Sequence, residues 1–273
     1  MSLYINTNVA SLNAQRQLNQ TTSSLNKTYE RLSSGLRVNS AADDAAGLSI
    51  SSRMTAQIRG LNQASRNAND AISMMQTAEG ALAETEAALQ RMRELAVQAS
   101  NETYTQTDRG DLQSEVAQMI SEIDRIASDT SFNSQNLLAA GFSTTMLVGA
   151  YSGKTILASI GGADATDLGV NGVSLTNSTG GLAMAAITTI DTAISSVSDL
   201  RSKLGAYQNR FEAVISNLDN VAERTTASQS RIMDADIAQE TASLTRNAIL
   251  QQAGAAMLAQ ANQQPQLALS LLG

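Results

Sequence analysis

The residues of this chain best suited to chemistry are carboxylates in two short clusters. Asp43 and Asp44 are adjacent, and Asp234 and Asp236 are two residues apart. Adjacent side chains point to different faces of a helix, so such pairs rarely converge on one metal ion or work together as acid and base. We therefore interpret Asp43 and Asp44 as a cap and hinge at the start of a long helix, where acidic charge complements the helix dipole.

Other residue types that active sites need are missing or stand alone. The sequence contains no histidine and no cysteine, which removes the commonest general base, thiolate nucleophiles and Cys/His metal sites. Gly35 and Gly47 belong to no GxGxxG or GxxxxGKS motif. We therefore interpret them as the two ends of a joint in the chain and not as part of a phosphate-binding loop. We expect no enzyme activity, no metal and no cofactor.

The overall composition argues against several binding partners. The net charge is −7 and no run of Lys or Arg is present, which argues against nucleic acid. No stretch reaches about 18 apolar residues, so no membrane-spanning helix is expected. The first residues lack the basic and apolar segments of a secretory signal, so we expect export, if it occurs, by a route without cleavage.

Two long stretches carry the apolar seams of packed helices. Aromatic residues are 3% of the chain and one proline is present, which favours slender helical bundles. Apolar or small residues at alternating steps of three and four predict a helix from Asp43 or Asp44 to residue 100, and an antiparallel partner with larger side chains. The first seam is Leu61, Ala64, Ala68, Ala71, Met75, Ala78, Leu82, Thr85, Leu89, Met92, Ala96 and Ala99, and the second is Ile190, Ile194, Val197, Leu200, Leu204, Tyr207, Phe211, Val214, Leu218 and Val221.

A third helix is predicted over about 108–128, after a turn near Asn101 and Thr103. Nine of the 17 glycines then fall within 141–181, beside β-branched runs at 155–157 and 170–175. This composition predicts a few strands in hairpins that form a tip on the protein surface, and disorder is the alternative. The predicted fold class is mainly α, a long antiparallel helical rod or coiled-coil bundle formed by both arms, with a small middle rich in β-hairpins, Gly, Ser and Thr.

The two ends of the chain are almost free of charge. Residues 1–26 contain one charged side chain, Arg16, and residues 247–273 contain none. Each end has only a thin apolar stripe, and isolated helices of that quality are marginal in water. We expect both arms to be mobile in the monomer and to fold against neighbouring copies, in a head-to-tail contact that generates a filament. The stripe residues are Leu18, Leu25, Leu32, Ile237, Leu244, Ala248, Ala255 and Leu258.

Five segments in this order resemble the signature segments of bacterial flagellin. The resemblance covers roughly residues 1–140 and 186–273, and the short middle corresponds to a flagellin with a minimal variable region. The segments are 30–37 (ERLSSGLR), 43–50 (DDAAGLSI), 63–70 (QASRNAND), 89–98 (LQRMRELAVQ) and 249–265 (ILQQAGAAMLAQANQQP).

The resemblance implies a structural subunit that polymerises into the flagellar filament for swimming. It implies unfolded export through the flagellar type III system to an extracellular filament. The implied partners are other copies of the chain, an export chaperone on the C-terminal arm, and filament cap and junction proteins. The implied domains are a core arm and spoke (1–42), rod helices (43–130), a variable region (131–185), a rod helix (186–227) and a second core arm (228–273).

The resemblance also places the family's innate-immune epitope on the first rod helices. Recognition by a Toll-like receptor through charge and leucine is one interpretation, and contact between subunits of the filament is the other. Both roles can hold for the same residues. They are Gln90, Arg91, Leu95, Gln98 and Glu115.

Three other protein classes are weighed against a filament subunit. A protein at the junction of hook and filament shares the terminal pattern and is the nearest rival. A type III translocator or needle-tip protein would need a long apolar hairpin, which this sequence lacks. A polysaccharide-degrading enzyme is disfavoured because histidine is absent and aromatic residues for sugar stacking are few.

Overall fold

The computed structural model describes residues 7–176 and 181–270, of which 264–270 by backbone alone. Residues 1–6, 177–180 and 271–273, which belong to the predicted arms and middle region, lie outside the described residues. The fold is mainly α, as predicted. The elements in chain order are α1 Val9–Ser34, α2 Ala45–Ala99, α3 Gln106–Asp129, β1 Ser131–Phe132, β2 Gln135–Asn136, β3 Phe142–Leu147, β4 Thr155–Ile160, α4 Gly181–Met233 and α5 Ile237–Ser270.

Contacts divide the chain into two compact units, to which α2 and α4 both contribute. We call residues 1–56 with 224–273 the terminal unit, and residues 57–223 the bundle unit. These limits differ from those predicted at 42/43 and 227/228. Helix α4 continues past residue 227 to Met233, and the interruption before α5 lies at residues 234–236.

The predicted seam of α2 is the centre of the bundle unit. All of its residues are buried, from Leu61 to Ala99. Thr85, its one polar member, donates its hydroxyl to the Ala81 carbonyl over 3.1 Å, so no polar group is left without a partner there. The spacing of three and four therefore identified the buried face of this helix.

Helix α4 lies antiparallel to α2 in the bundle unit, as predicted. Three side-chain contacts show the antiparallel direction, because residue numbers rise along α2 while they fall along α4. The pairs are Glu79 with Gln208 at 2.8 Å, Glu86 with Arg201 at 2.5 Å and Arg93 with Asp191 at 2.6 Å. Ile190, Val197, Leu204, Phe211 and Leu218 of the predicted seam are buried at intervals of seven.

One detail of the predicted α4 seam is wrong. Val221 is exposed, with 36% of its surface accessible, and it lies beyond the last buried seam residue. Ile194 is half-buried and packs against the core as predicted, and its neighbour Ala193, which is not part of the predicted seam, is fully buried.

Helix α3 begins with a reciprocal cap. The Thr105 hydroxyl accepts the Asp108 backbone N–H at 3.3 Å, and the Asp108 carboxylate accepts the Thr105 N–H at 2.8 Å. The Thr105 N–H first, and the Thr105 hydroxyl second, donate to the Asp108 carboxylate and lower the pKa of Asp108 below its usual value. The helix therefore starts slightly before the predicted position, at Gln106, and buries Val116 and Ile123 against the bundle.

Arg109 is the largest buried side chain, with 2% of its surface exposed. Its guanidinium donates to the carbonyl of Ala99, the last residue of α2, at 2.8 Å and to that of Asn101 at 3.1 Å. Carbonyls at the end of a helix have no partner within the helix, and a cation there also complements the dipole. Arg109 therefore closes the turn between α2 and α3.

The middle of the chain contains the predicted hairpins, but it is packed rather than a free tip. Strands β3 and β4 pair antiparallel, from Phe142 opposite Ile160 to Leu147 opposite Thr155. Alternate residues of β4 are buried, and Leu138, Val170 and Leu175 are also buried in the same core. Disorder, the alternative for the described part of this region, does not hold.

No strand forms at 170–175, where the β-branched run predicted one. The chain there is held by a side chain instead. Gln113 of α3 donates to the Val173 carbonyl at 3.2 Å and accepts the Leu175 N–H at 2.6 Å. One amide thus replaces the two hydrogen bonds that a neighbouring strand would supply.

One window of α4 is long and apolar enough to cross a membrane when length and composition alone are tested. The sequence predicts no membrane-spanning helix. The seam of α4 packs into the bundle core, which accounts for the apolar composition of this helix.

The terminal unit is built on an antiparallel pair of α1 and α5. At one end the Asn8 amide donates to the Ala261 carbonyl at 2.7 Å, and at the other Arg31 and Glu240 form an ion pair at 3.1 Å. Between them Leu18 lies so close to α5 that a Cβ on Gly254 would be 3.3 Å from its methyl group.

The arms therefore differ from the expectation of segments that fold only against other copies. Each thin stripe finds its partner in the other arm of the same chain. Thr21, Leu25 and Thr28 of α1 are buried, and each threonine hydroxyl donates to a carbonyl of its own helix. Two marginal helices stabilise each other when they bury their stripes together.

We predict that Arg109→Gln lowers the free energy of unfolding of the bundle unit by about 3 kcal/mol, because buried carbonyls at the end of α2 lose charged donors. Urea unfolding of the full chain, followed by circular dichroism, measures this. Arg125→Gln is the matched control, since Arg125 is exposed on the same helix. Equal stability of the two variants would contradict the role of Arg109.

Candidate functional site

The joint between α1 and α2 is shaped by one glycine and one carboxylate. Gly35 has φ +73°, the left-handed conformation that favours glycine, and its N–H donates to the Arg31 carbonyl at 2.8 Å to end α1. Its own carbonyl accepts the Ala235 N–H at 2.9 Å. Gly35 thus ends one helix and contacts the chain between α4 and α5.

The two adjacent aspartates at this joint have separate tasks. Asp44 precedes α2 and accepts the Gly47 N–H at 2.8 Å, which is the geometry of a helix cap. A Cβ on Gly47 would collide with that carboxylate, so glycine stands there to admit the cap. Asp43 lies outside the helix and stabilises the preceding loop.

Asp43 gathers several partners in the loop. It pairs with Lys27 of α1 at 2.7 Å and accepts the Ser40 N–H at 3.1 Å and the Ser40 hydroxyl at 3.0 Å. Lys27 first, and Ser40 second, hold the pKa of Asp43 far below its usual range. The contribution of this carboxylate to stability is present at neutral pH, and it is lost only as the pH falls well below 4.

The second carboxylate cluster also serves backbone geometry. Asp236 accepts the N–H groups of Ala238 at 2.9 Å and Gln239 at 3.2 Å at the start of α5. Asp234 accepts the Ser230 hydroxyl at 2.5 Å. Across residues 7–176 and 181–270, no group of three Asp or Glu side chains is placed to hold a metal ion.

The residues predicted for filament assembly divide into two sets. Leu25 is buried between the arms, and Leu18, Leu32, Leu244, Ala248 and Leu258 are half-buried. Ile237 and Ala255 are exposed. Most of the predicted stripe is therefore at least partly covered within one chain, and its role in assembly stays a prediction.

A set of apolar side chains exposed on the arms lies outside the stripe that the sequence predicts. Its members are exposed by between 47% and 65%, although leucine, isoleucine and methionine are usually buried. They lie outside the predicted stripe. Their apolar character at positions that the stripe does not use was the sequence signal that could have identified them. We call this the outer arm surface, formed by Leu12 of α1 and Ile249, Leu250 and Met257 of α5.

The predicted receptor residues lie on α2 and α3 around an ion-pair cluster. Arg91 pairs with Glu115 at 2.9 Å and with Glu94 at 2.9 Å. The hydrogen bonds that Arg91 donates to the carboxylate of Glu115, and then to that of Glu94, raise the pKa of Arg91 above its usual value. Glu94, which is not among the predicted receptor residues, also belongs to this exposed cluster.

The two predicted glutamines flank the cluster, and the predicted leucine lies beneath it. Gln98 donates to the Tyr104 hydroxyl at 2.9 Å, and Gln90 donates to Glu86 at 3.4 Å. Leu95 is 1% exposed and belongs to the core of the bundle unit. The expectation that Leu95 takes part in a surface is therefore wrong for this folded chain, and its task is packing.

Comparison with known families matches both helical parts of the chain. Residues 5–143 match the bacterial flagellin N-terminal helical region, and residues 187–272 match the bacterial flagellin C-terminal helical region.

Individual proteins show the same relationship. A flagellin of Halalkalibacterium halodurans is 50% identical over 99% of this chain and all of that protein. A flagellin of Bacillus subtilis is 44% identical over 98% of this chain and 99% of that protein. The structure of a putative flagellar hook-associated protein from Vibrio parahaemolyticus covers 70% of this chain and all of that chain, with a TM-score of 0.60 and 13% identity, so this likeness concerns the fold alone. This chain belongs to the bacterial flagellin family.

Proposed function

We propose that the chain assembles into its filament through the outer arm surface. As a flagellin it is a structural subunit of the flagellar filament, which lies outside the cell, and it is not an enzyme. The observation that carries the assembly proposal is the exposure of Leu12, Ile249, Leu250 and Met257 on arms whose own stripe is already paired.

The free energy available at this surface suits association. Burying one leucine, isoleucine or methionine side chain stabilises by about 1.5–3 kcal/mol, so a few of them suffice for specific contact. Past Arg246 the described part of α5 carries no charged side chain. A neighbouring copy can cover this stretch without removing an ionised group from water, which would be costly.

We also infer that the subunit leaves the cell unfolded through the flagellar export system. The chain has no cysteine, so no disulfide hinders unfolding. The same uncharged α5 surface suits an export chaperone before assembly, and the cap and junction proteins that flank a filament would meet the arms at its two ends.

The Arg91 cluster supports a second proposal, recognition by a Toll-like receptor. Arg91, Glu94 and Glu115 are held in one exposed array by their ion pairs, and such fixed charges favour a specific polar contact. In the filament the same residues could not contact a receptor while they contact a subunit, so recognition belongs to the free monomer.

We predict that Ile249→Asp lowers the rate of seeded elongation by about tenfold or more, because the variant places a charge in the contact between copies. Purified monomer is added to filament fragments, and growth is measured by electron microscopy. Circular dichroism should show unchanged helix content, since Ile249 is 60% exposed in the single chain.

Leu157→Asp is the matched control for this experiment. Leu157 is 59% exposed on β4, which belongs to the bundle unit. Normal elongation of Ile249→Asp, or equal loss in both variants, would contradict the outer arm surface. Unmodified protein that adds only one ring per seed would instead identify a junction protein.

We predict that Arg91→Ala raises the monomer concentration needed for half-maximal receptor signalling by about tenfold, because the array loses its central cation. A reporter cell assay with soluble monomer measures this. Arg125→Ala is the control, since Arg125 forms a similar exposed cluster with Glu122 and Asp129. Unchanged potency of Arg91→Ala would exclude this array as the receptor contact.

A further inference from the structure

We propose that Met257 is an oxidation site whose conversion to the sulfoxide prevents a free subunit from joining the filament. The inference rests on the proposed assembly through the outer arm surface, and it adds a chemical modification that regulates this contact. The oxidant is a peroxide, and the modified atom is the thioether sulfur.

The exposure of the methionines singles out two of them. Most methionines in the described residues are shielded by packing, while Met257 is 65% and Met184 is 66% exposed. Susceptibility of a thioether to oxidation follows its access to solvent. The shielded residues are Met74, Met75 and Met92, which are buried, and Met54, Met119, Met146 and Met233, which are half-buried.

Only one of the two exposed methionines stands on the outer arm surface. Met257 follows Leu250 by seven residues on α5, so the two side chains lie two turns apart on one face. Leu250 is 47% exposed, and the alanine at 253 between them is also exposed. Met184 stands near the start of α4 in the bundle unit.

The reaction is a simple transfer of oxygen. The thioether sulfur attacks one oxygen of hydrogen peroxide, the O–O bond breaks, and sulfoxide and water result. The sulfur is oxidised, and the peroxide is reduced. A flexible apolar side chain becomes a polar one with a strong acceptor.

The consequence for assembly follows from desolvation. A neighbouring copy that covers Met257 gains from burying a thioether, but it must strip water from a sulfoxide that finds no donor in a patch of leucine, isoleucine and alanine. We expect the concentration of subunit needed for elongation to rise by about tenfold. Once the copy is in place, the sulfur is covered, so an assembled filament is protected.

The test treats purified full-length monomer with dilute hydrogen peroxide, removes the peroxide, and measures seeded elongation. Mass spectrometry of peptides reports oxidation at each methionine. Met257→Leu keeps an apolar side chain of similar size without sulfur, and Met184→Leu is the matched control at equal exposure. Methionine sulfoxide reductases A and B are then applied to the oxidised unmodified protein.

The expected result is that oxidised protein and oxidised Met184→Leu elongate poorly, oxidised Met257→Leu elongates normally, and the reductases restore the unmodified protein. Normal elongation of protein oxidised at Met257 would overturn the inference, and so would protection by Met184→Leu. If untreated Met257→Leu fails to elongate, the reductases supply the test. Failure of the reductases to restore elongation of the oxidised, unmodified protein would then overturn the inference. Failure of untreated, unmodified monomer to elongate would contradict the proposed function instead.

Discussion

The pairing of a small-residue seam with a large-residue seam supports the rest of the bundle unit. Alanines of α2 such as Ala68, Ala71 and Ala78 are fully buried, and the larger Phe211 and Leu204 of α4 are buried against the same core. Because small residues on one helix leave room for large ones on the other, the helices interlock without aromatic side chains in number. Helix α3 and the middle segment add to this core and depend on it.

The terminal unit, by contrast, depends less on apolar packing and more on polar contacts. Its stripes are thin, and the hydroxyls of Thr21 and Thr28 take places that leucine would fill in a stronger pair. The pair is held at its ends by hydrogen bonds and the ion pair of Arg31 with Glu240. Apolar side chains that the pair does not use remain on its outside. A subunit that must both fold and join others needs this division of apolar surface.

Much of the fold could be predicted because helix periodicity is a local property. The seam of α2 and the antiparallel direction of α4 follow from spacing and size alone. The run at 170–175 shows the limit, since a side chain from α3 took the place of a strand and no local pattern encodes Gln113 as that partner.

The candidate sites were predictable only in part. The aspartates at 43 and 44 stand where a cap was expected, but their separate partners depend on Lys27 and the loop before α2. Leu95 and Leu18 show the general difficulty. An apolar residue on a predicted stripe can face its own chain or another chain, and spacing alone does not distinguish the two. Burial in the folded chain does, and it separates half-buried Leu18 from exposed Ile249 and Met257.

The segment that Gln113 holds by hydrogen bonds and the turn between β3 and β4 differ in whether they can accept inserted residues. The segment at 170–175 is fixed by an amide and by buried Val170 and Leu175, so added residues there would detach it from the core. In the turn, Tyr151 is 63% exposed and Gly153 has φ +85° with open space around it. That turn is the natural position for grafting a foreign peptide, which a polymer of this subunit would then display at high density.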